Sequence, residues 1–152
     1  MRAIIFSDSH KCFSKMAEAI QLNSPVNMII HAGDVHQDVE DLQIAYPKIP
    51  VAFVKGNNDP FLHGVPTDRI FTLGKTKIFL THGHNYGVKY STAALLKKAC
   101  DLGADICIFG HTHTPYFEKI NGVTLFNPGA ASQGFGLLEA DDFGFSIKAV
   151  KL

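Results

Sequence analysis

The sequence predicts an α/β protein built from two mixed sheets, and three observations support this prediction. Short apolar runs recur along the chain, and several are followed at once by Gly, Asn, Asp or His. Segments of helical periodicity separate the early runs, an alternation typical of parallel strands joined by helical crossovers. The last third of the chain instead contains paired strands around tight turns, which indicates antiparallel hairpins.

The predicted buried strands are the apolar runs at 3–6, 26–30, 51–54, 77–80 and 105–109. Each is short enough for a strand of a covered sheet. The polar segments that follow or end these runs read SDSH, HAGD, KGNND, THGH and GHTH. Because the carboxyl ends of parallel strands meet at one sheet edge, where ligands bind in open α/β folds, we expect at least the first three segments to lie together.

Helices are predicted at 11–23, 37–47 and 88–103, where apolar residues recur at helical spacing. Pro47 ends the second helix and Gly103 the third. The segments 115–122 and 123–129 flank an Asn121–Gly122 turn, and 135–142 with 144–152 form a second predicted hairpin. A chain of 152 residues is long enough for one domain with a sizeable core, so we expect a single domain over 1–152.

Composition limits the partners that we expect. Lys plus Arg and Asp plus Glu number 14 each, and this balance argues against a large nucleic-acid surface or a membrane-binding face, both of which need basic charge. No run approaches the roughly 20 apolar residues of a membrane span, and the N-terminal run is too short for a signal peptide. The cysteines form no CxxC motif, which predicts reduced thiols and a cytoplasmic location. Cys100 and Cys107 lie in apolar surroundings, and we expect them in the core.

The polar segments supply a set of nitrogen and oxygen donors that suits borderline divalent metals. The candidate ligands are Asp8, His10, Asp34, Asn57, His82, His111 and His113. One ion uses about four to six donors, so this set, with one carboxylate shared, fits two ions that clamp a phosphate between them. Within GHTH, alternate residues can face neighbouring ions, which explains a pair of imidazoles one residue apart.

Each candidate taken alone has a simpler explanation. A single histidine beside a strand is more often structural, and Asp8 or Asp34 could cap the helix that follows it. The segment 57–60 could be an ordinary turn. The conjunction of all the segments, each at a strand end, favours the metal site. The neighbouring Gly33, Gly56, Gly83 and Gly110 are expected to allow sharp turns and close backbone approach.

The motif order D-x-H, GD, GN-x-D, HGH and GH-x-H, from Asp8 to His113, resembles the calcineurin-like metallophosphoesterase family. The short length, HGHNYG at 82–87 and FNPGA at 126–130 resemble its small prokaryotic phosphodiesterase branch (YfcE-like). The resemblance implies a four-layer α/β/β/α sandwich of two mixed sheets flanked by helices. It also implies two divalent metal ions per chain, with Mn expected first and Fe, Ni or Zn as alternatives.

The resemblance also implies individual roles. Asp8, His10 and His113 would bind the first ion, Asp34 would bridge, and Asn57, His82 and His111 would bind the second. The implied activity is hydrolysis of small phosphodiesters by a hydroxide that the two ions activate.

One position departs from the family pattern. Many members carry His after the motif Asn, whereas this chain has Asn58. An amide can donate a hydrogen bond but cannot deliver a proton at pH 7, so we expect a preference for good leaving groups and weak activity on monoesters. His84 is expected to contact substrate or a ligand and is a candidate acid. His36 is another candidate acid, with the alternative that it simply begins a helix. His31 is expected to be a buried structural imidazole.

Two other functions remain open from the sequence. The same fold occurs in a retromer subunit that acts as a protein-interaction scaffold with a degraded site, but this chain retains every candidate ligand. A mononuclear hydrolase or metal-storage protein would leave Asp34 with no reason to be shared. A homodimer is also expected, with an interface or site rim formed by apolar residues taken as exposed: Phe61, Leu62, Tyr86 and Phe135.

Overall fold

Two five-stranded sheets carry the fold in a computed structural model that describes residues 1–152. The strands are β1 Arg2–Phe6, β2 Met28–His31, β3 Val51–Phe53, β4 Asp68–Leu73, β5 Thr76–Thr81, β6 Ile106–Ile108, β7 Tyr116–Ile120, β8 Val123–Asn127, β9 Gly134–Ala140 and β10 Phe145–Lys151. The helices are α1 Phe13–Leu22, α2 His36–Ala45 and α3 Ala93–Asp101, with a short 3-10 helix at His84–Tyr86.

Both sheets are mixed, as the sequence predicts. The first has the order β10-β9-β1-β2-β3, in which β1, β2 and β3 are parallel, β9 is antiparallel to β1, and β10 is antiparallel to β9. The second has the order β4-β5-β6-β8-β7, in which β5, β6 and β8 are parallel and β4 and β7 antiparallel. The parallel strands of each sheet therefore end at a common edge, which is where the candidate ligands follow.

Three apolar clusters define four layers. Ile5 and Ile30 of the first sheet pack with Ile106 of the second in a cluster between the sheets. Alternate residues of the same strands face outward, so that Ile4 packs against α1 and α2 on the other side. Leu95 and its neighbours on α3 cover the outer face of the second sheet. The predicted α/β/β/α sandwich is confirmed.

The two predicted hairpins are confirmed. Ile120 pairs with Val123 across a turn in which Asn121 and Gly122 have φ of 52° and 77°. Positive φ at both positions matches the twist of the flanking strands, and Asn-Gly adopts it at low cost. The second hairpin pairs β9 with β10 from Phe145 opposite Ala140 onward.

Several sequence expectations are wrong in detail. Strand β4 was not predicted, because an edge strand with a half-exposed, mixed composition lacks a long apolar run. The third helix begins at Ala93 rather than at 88, because residues 87–90 form a separate turn, in which the Tyr90 and Ser91 N–H groups both donate to the Gly87 carbonyl. Cys107 is buried as expected, but Cys100 is exposed on α3.

The expectation that Phe135 is exposed is also wrong. It is buried within the first sheet's outer cluster, with its ring centroid 6.3 Å from that of Phe6. Phe61 is exposed as expected, and the homodimer stays a prediction. None of the helices combines the length and the apolar character that a bilayer span requires.

Candidate metal centre

The candidate ligands converge at the carboxyl ends of the parallel strands of both sheets. Asp8 and His10 follow β1, Asp34 follows β2, and Asn57 follows β3. From the second sheet, His82 follows β5, and His111 and His113 follow β6. Their donor atoms form two adjoining groups.

The first group consists of Asp8, His10, Asp34 and His113. One ligand atom from each lies within 4.8 Å of every other. His113 Nε2 lies 3.3 Å from Asp8 Oδ1, and His10 Nε2 lies 3.8 Å from Asp34 Oδ2. Two imidazoles and two carboxylates at these separations form a donor set that fits one divalent cation.

The second group is centred on Asn57. Its Oδ1 lies 3.0 Å from both His82 Nε2 and His111 Nδ1. His82 Nε2 in turn lies 3.4 Å from Asp34 Oδ2. The same oxygen of Asp34 therefore adjoins both groups, which is the position a shared carboxylate needs.

The carboxylate of Asp8 is held so that one oxygen faces the site. Its Oδ2 accepts hydrogen bonds from the Ser7 hydroxyl at 2.9 Å and the His111 backbone N–H at 3.0 Å. Its Oδ1 is buried and has no hydrogen-bond partner. Because a buried carboxylate oxygen without a partner is costly, this atom fits a cation ligand.

The orientation of the His82 ring is fixed by a hydrogen bond from its Nδ1. Its Nδ1 lies 2.8 Å from the carbonyl oxygen of Ala32, which can only accept, so Nδ1 carries a proton and Nε2 points into the site. Metal-binding histidines commonly donate their second N–H to a carbonyl in this way. Burial lowers the pKa of His82, but the contacts with Asp34 outweigh it and leave the pKa raised.

The pKa of Asp34 is shifted in the opposite direction to that of His82. Burial favours the protonated carboxyl, but the donors of His82 and Asn58 outweigh it and hold the pKa of Asp34 well below its usual range. Asp34 is therefore an anion at neutral pH even before a cation binds.

Much of the backbone at the candidate ligands is strained. Asp8, His10, Asp34, His111 and His113 have φ values of 49°, 41°, 71°, 70° and 60°. A left-handed conformation costs an L-residue about 1–2 kcal/mol, and such residues cluster where function requires a particular geometry. The explanation of Asp8 and Asp34 as helix caps is wrong, because Cys12 and Val35 lie at the caps of α1 and α2 without side-chain cap bonds.

The glycines beside the ligands have the expected roles. Gly33 and Gly83 have left-handed φ of 99° and 100°. At Gly56 a Cβ would overlap Asp34 Oδ1, and at Gly110 it would overlap the Ser7 hydroxyl that orients Asp8. Gly56 and Gly110 are therefore needed because a side chain would have no room, not because of their backbone φ.

Residues 1–142 match the model of the calcineurin-like phosphoesterase superfamily domain. The chain belongs to this superfamily. It is 35% identical over 132 residues to the probable metallophosphoesterase YsnB of Bacillus subtilis (strain 168), covering 86% of this chain and 75% of YsnB. It is 34% identical over 76 residues to phosphodiesterase YfcE of Escherichia coli (strain K12), covering 45% of this chain and 38% of YfcE. The family match and the likeness to YsnB over most of this chain, together with the shorter match to YfcE, support the small prokaryotic branch.

The fold is shared more widely than the sequence. The crystal structure of wild-type Vps29 from Entamoeba histolytica, complexed with Zn²⁺, superposes with a TM-score of 0.82 at 22% identity, covering 100% of this chain and 98% of that one. At this identity the likeness shows the fold alone.

In this phosphoesterase, Asn58 contacts Asp34. The Asn58 backbone N–H donates to Asp34 Oδ1 at 3.0 Å, and the side-chain amide donates to Asp34 Oδ2 at 2.7 Å. The side chain is thus committed to a carboxylate that adjoins both donor groups, as Asp8 also does, with its Oδ1 3.7 Å from His82 Nε2.

His84 lies beside the second donor group of the phosphoesterase. Its ring centroid lies 5.5 Å from that of His82 and 6.1 Å from that of His111. Its Nδ1 is buried without a partner, and burial, with the proximity of His82, lowers its pKa. His36 instead begins α2, and His31 is fully buried as expected.

Sequence reasoning missed residues that hold the ligand loops of the phosphoesterase together. Asp59 accepts the His36 N–H at 2.9 Å through Oδ1 and the Gly56 N–H at 3.0 Å through Oδ2, which ties the loop after β3 to the start of α2. The position of Asp59 in the GN-x-D motif could have indicated that this residue has a role in the site. Asp38 gave no such indication, because an acid in the first turn of a helix is common without any tertiary contact.

Proposed function

We propose that this phosphoesterase hydrolyses small phosphodiesters at a centre of two divalent cations. The observation that carries the proposal is the position of Asp34 Oδ2, which lies 3.8 Å from His10 Nε2 in one donor group and 3.4 Å from His82 Nε2 in the other. A carboxylate oxygen between two donor groups is the arrangement that a dinuclear phosphoesterase uses.

The residues divide between the two cations as the family resemblance implies. Asp8, His10 and His113 would hold the first, Asn57, His82 and His111 the second, and Asp34 would contribute to both. Carboxylate, amide and imidazole donors suit Mn, Fe, Ni and Zn, and Mn is our first choice.

When bound, the cations supply a water acidic enough to act as a nucleophile near neutral pH, together with positive charge for the phosphoryl oxygens. The protein keeps the donors in place. Ser7 and the His111 backbone orient Asp8, Ala32 orients His82, and Asn58 orients Asp34. Because these contacts exist before substrate binds, little reorganisation is needed during the reaction.

Diester hydrolysis fits the side chains that surround the centre. Asn58 cannot protonate a leaving group, so substrates whose leaving group departs as a stable anion are favoured. His84 keeps one N–H as a neutral imidazole, and we assign it to donate a hydrogen bond to the substrate. The phosphodiesterase name of the related YfcE supports the same substrate class.

The test is hydrolysis of bis(p-nitrophenyl) phosphate by protein stripped with chelator and then titrated with Mn²⁺ at neutral pH. We expect activity only with metal, with saturation near two ions per chain. Asp34→Asn should remove most activity and lower the metal content, whereas Asp41→Asn, at a half-buried position of α2 whose side chain accepts a hydrogen bond only from Gln37, should match the wild type. Saturation at one ion, or full turnover of Asp34→Asn, would contradict the dinuclear centre.

A scaffold function is the second candidate, since the fold that this chain shares with Vps29 is compatible with it. It predicts no hydrolysis with Mn²⁺, Ni²⁺, Fe²⁺ or Zn²⁺. A protein that has no use for the reaction has no reason to keep seven converging donors, and for this reason we place the enzyme first.

A further inference from the structure

A chain of buried hydrogen bonds lies behind the ligand loops and joins Ser9, His31 and Asp38. The Ser9 hydroxyl lies 3.0 Å from His31 Nε2 and 2.6 Å from Asp38 Oδ2. The three residues are 0%, 0% and 2% exposed, so no solvent competes for these bonds. A fully satisfied polar network in such surroundings restricts the segments that it joins to one arrangement.

The direction of each hydrogen bond follows from its neighbours. The Gly33 backbone N–H donates to His31 Nδ1 at 3.2 Å, so the proton of this imidazole lies on Nε2 and is donated to Ser9 Oγ. The Ser9 hydroxyl proton is then donated to Asp38, which also accepts the Lys11 backbone N–H at 2.8 Å. The chain of donors therefore ends on the Asp38 carboxylate.

This arrangement is not that of a nucleophilic serine. In a nucleophilic triad the histidine accepts the serine proton, whereas here His31 donates to Ser9. Ser9 is also completely buried, so no substrate can reach its oxygen. The network must act through the residues that it holds.

Those residues flank three of the candidate metal ligands. Ser9 lies between Asp8 and His10, and Gly33 directly precedes Asp34. Asp38 belongs to the first turn of α2, which directly follows the loop after β2, and its backbone N–H donates to the Val35 carbonyl at 3.0 Å. One carboxylate thus links the loop after β1 to the loop after β2.

The linked loops need such support. Two consecutive pairs of residues, His10–Lys11 and Asp34–Val35, have left-handed φ values of 41° and 68°, and of 71° and 62°. Non-glycine residues keep this conformation only where surrounding contacts over-determine it. Without Asp38, these loops would relax toward ordinary backbone conformations and carry the ligands with them.

We propose that Asp38 is a positioning residue that holds the loops carrying Asp8, His10 and Asp34 in the conformation that binds metal. The proposal rests on the function proposed above, since it takes these residues as ligands. Removing a partner that orients metal ligands typically weakens metal binding about 10–100-fold, and we expect Asp38→Ala to fall in that range.

The experiment is an Mn²⁺ titration of the full chain, stripped with chelator and followed by calorimetry, so that the measurement does not depend on activity. Asp38→Ala is compared with Asp41→Ala, the same change on the same helix at a residue whose one side-chain contact is with Gln37. Asp38→Asn is the rescue variant, because its carboxamide oxygen can accept both hydrogen bonds. We expect weakened binding in Asp38→Ala, wild-type binding in Asp41→Ala and recovery of most of the affinity in Asp38→Asn.

Equal affinities of Asp38→Ala and Asp41→Ala would overturn the proposal, as would an Asp38→Asn variant no better than Asp38→Ala. If Asp38→Ala does not fold, Ser9→Ala takes its place, because it removes only the central hydroxyl; unchanged Mn²⁺ affinity in that variant would equally overturn the proposal. Wild-type protein that binds no Mn²⁺ would instead contradict the metal centre itself. Failure of the proposed function and failure of the Asp38 inference are therefore distinguishable.

Discussion

Asn58 donates to both carboxylate oxygens of Asp34, through its backbone N–H at 3.0 Å and its side-chain amide at 2.7 Å. An amide at this position cannot supply a proton to a leaving group. The structure adds a different contribution, which is to fix the rotamer of a carboxylate that adjoins both donor groups.

Replacing Asn58 with Ala should therefore weaken metal binding. The backbone hydrogen bond remains, but loss of the side-chain bond to a charged group costs about 1.5–3 kcal/mol, and we expect Mn²⁺ affinity to fall about tenfold or more. Calorimetric titration of metal-stripped protein measures it. An unchanged affinity would show that Asp34 needs no support from this side chain.

Replacing Asn58 with His should change substrate preference. An imidazole can deliver a proton near neutral pH, so the rate on p-nitrophenyl phosphate, relative to bis(p-nitrophenyl) phosphate, should rise. The ratio of the two kcat/KM values is the measurement, because it cancels differences in metal content. A ratio equal to that of the wild type would contradict our account of this position.

The space at Gly56 should be essential to the centre. A Cβ there would overlap Asp34 Oδ1, so Gly56→Ala should displace the carboxylate and reduce Mn²⁺ affinity by more than about tenfold. Gly64→Ala is the control, since Gly64 has open space around it and a left-handed φ of 78°. That variant should lose about 1 kcal/mol of stability and keep its metal affinity. Similar affinities in both variants would contradict the prediction.

The backbone strain at Lys11 should lower the free energy of unfolding, so relieving it should make the protein more stable. Its side chain is exposed, its φ is 68°, and its backbone N–H, which glycine retains, donates to Asp38. Lys11→Gly should raise the free energy of unfolding by up to about 1 kcal/mol, because glycine adopts this conformation without a steric penalty. Lys11→Ala removes the same side chain but keeps Cβ, and should bring no gain. Denaturant unfolding of the two variants separates the outcomes.

His31 should make the metal-free protein less stable in mild acid. Burial, with the proximity of His82, lowers the pKa of His31 from 6.5 to about 4. The unfolded chain therefore binds a proton in this window that the folded protein does not, so the free energy of unfolding falls as pH falls from about 6.5 to about 4, by about 3 kcal/mol from this group.

The measurement is denaturant unfolding across that pH range in the presence of chelator, for the wild type and for His31→Gln. The variant lacks the titrating group, so its stability should depend less steeply on pH. Parallel curves for the two proteins would exclude His31 as the source.

Much of this protein can be read directly from the sequence. The period of the apolar runs is a local property, and it was sufficient for β1, β2, β3, β5, β6 and the two C-terminal hairpins. The ligand types are also local, and placing them after parallel strands predicted their convergence, because strand direction alone brings those ends to one edge. Strand β4 and the start of α3 were not predicted. An edge position and a turn such as the one at 87–90 leave little trace in hydrophobic periodicity.

The tertiary structure alone decided how the donors are held. Three features depend on contacts between segments far apart in the chain. Asn58 turns toward Asp34, one oxygen of Asp8 is left without a donor, and Asp38 accepts a hydrogen bond from Ser9. The sequence determined which chemical groups are present and roughly where each strand ends. Orientation is set by burial and hydrogen bonding across the packed layers, because the low-dielectric interior requires each buried polar group to find a partner.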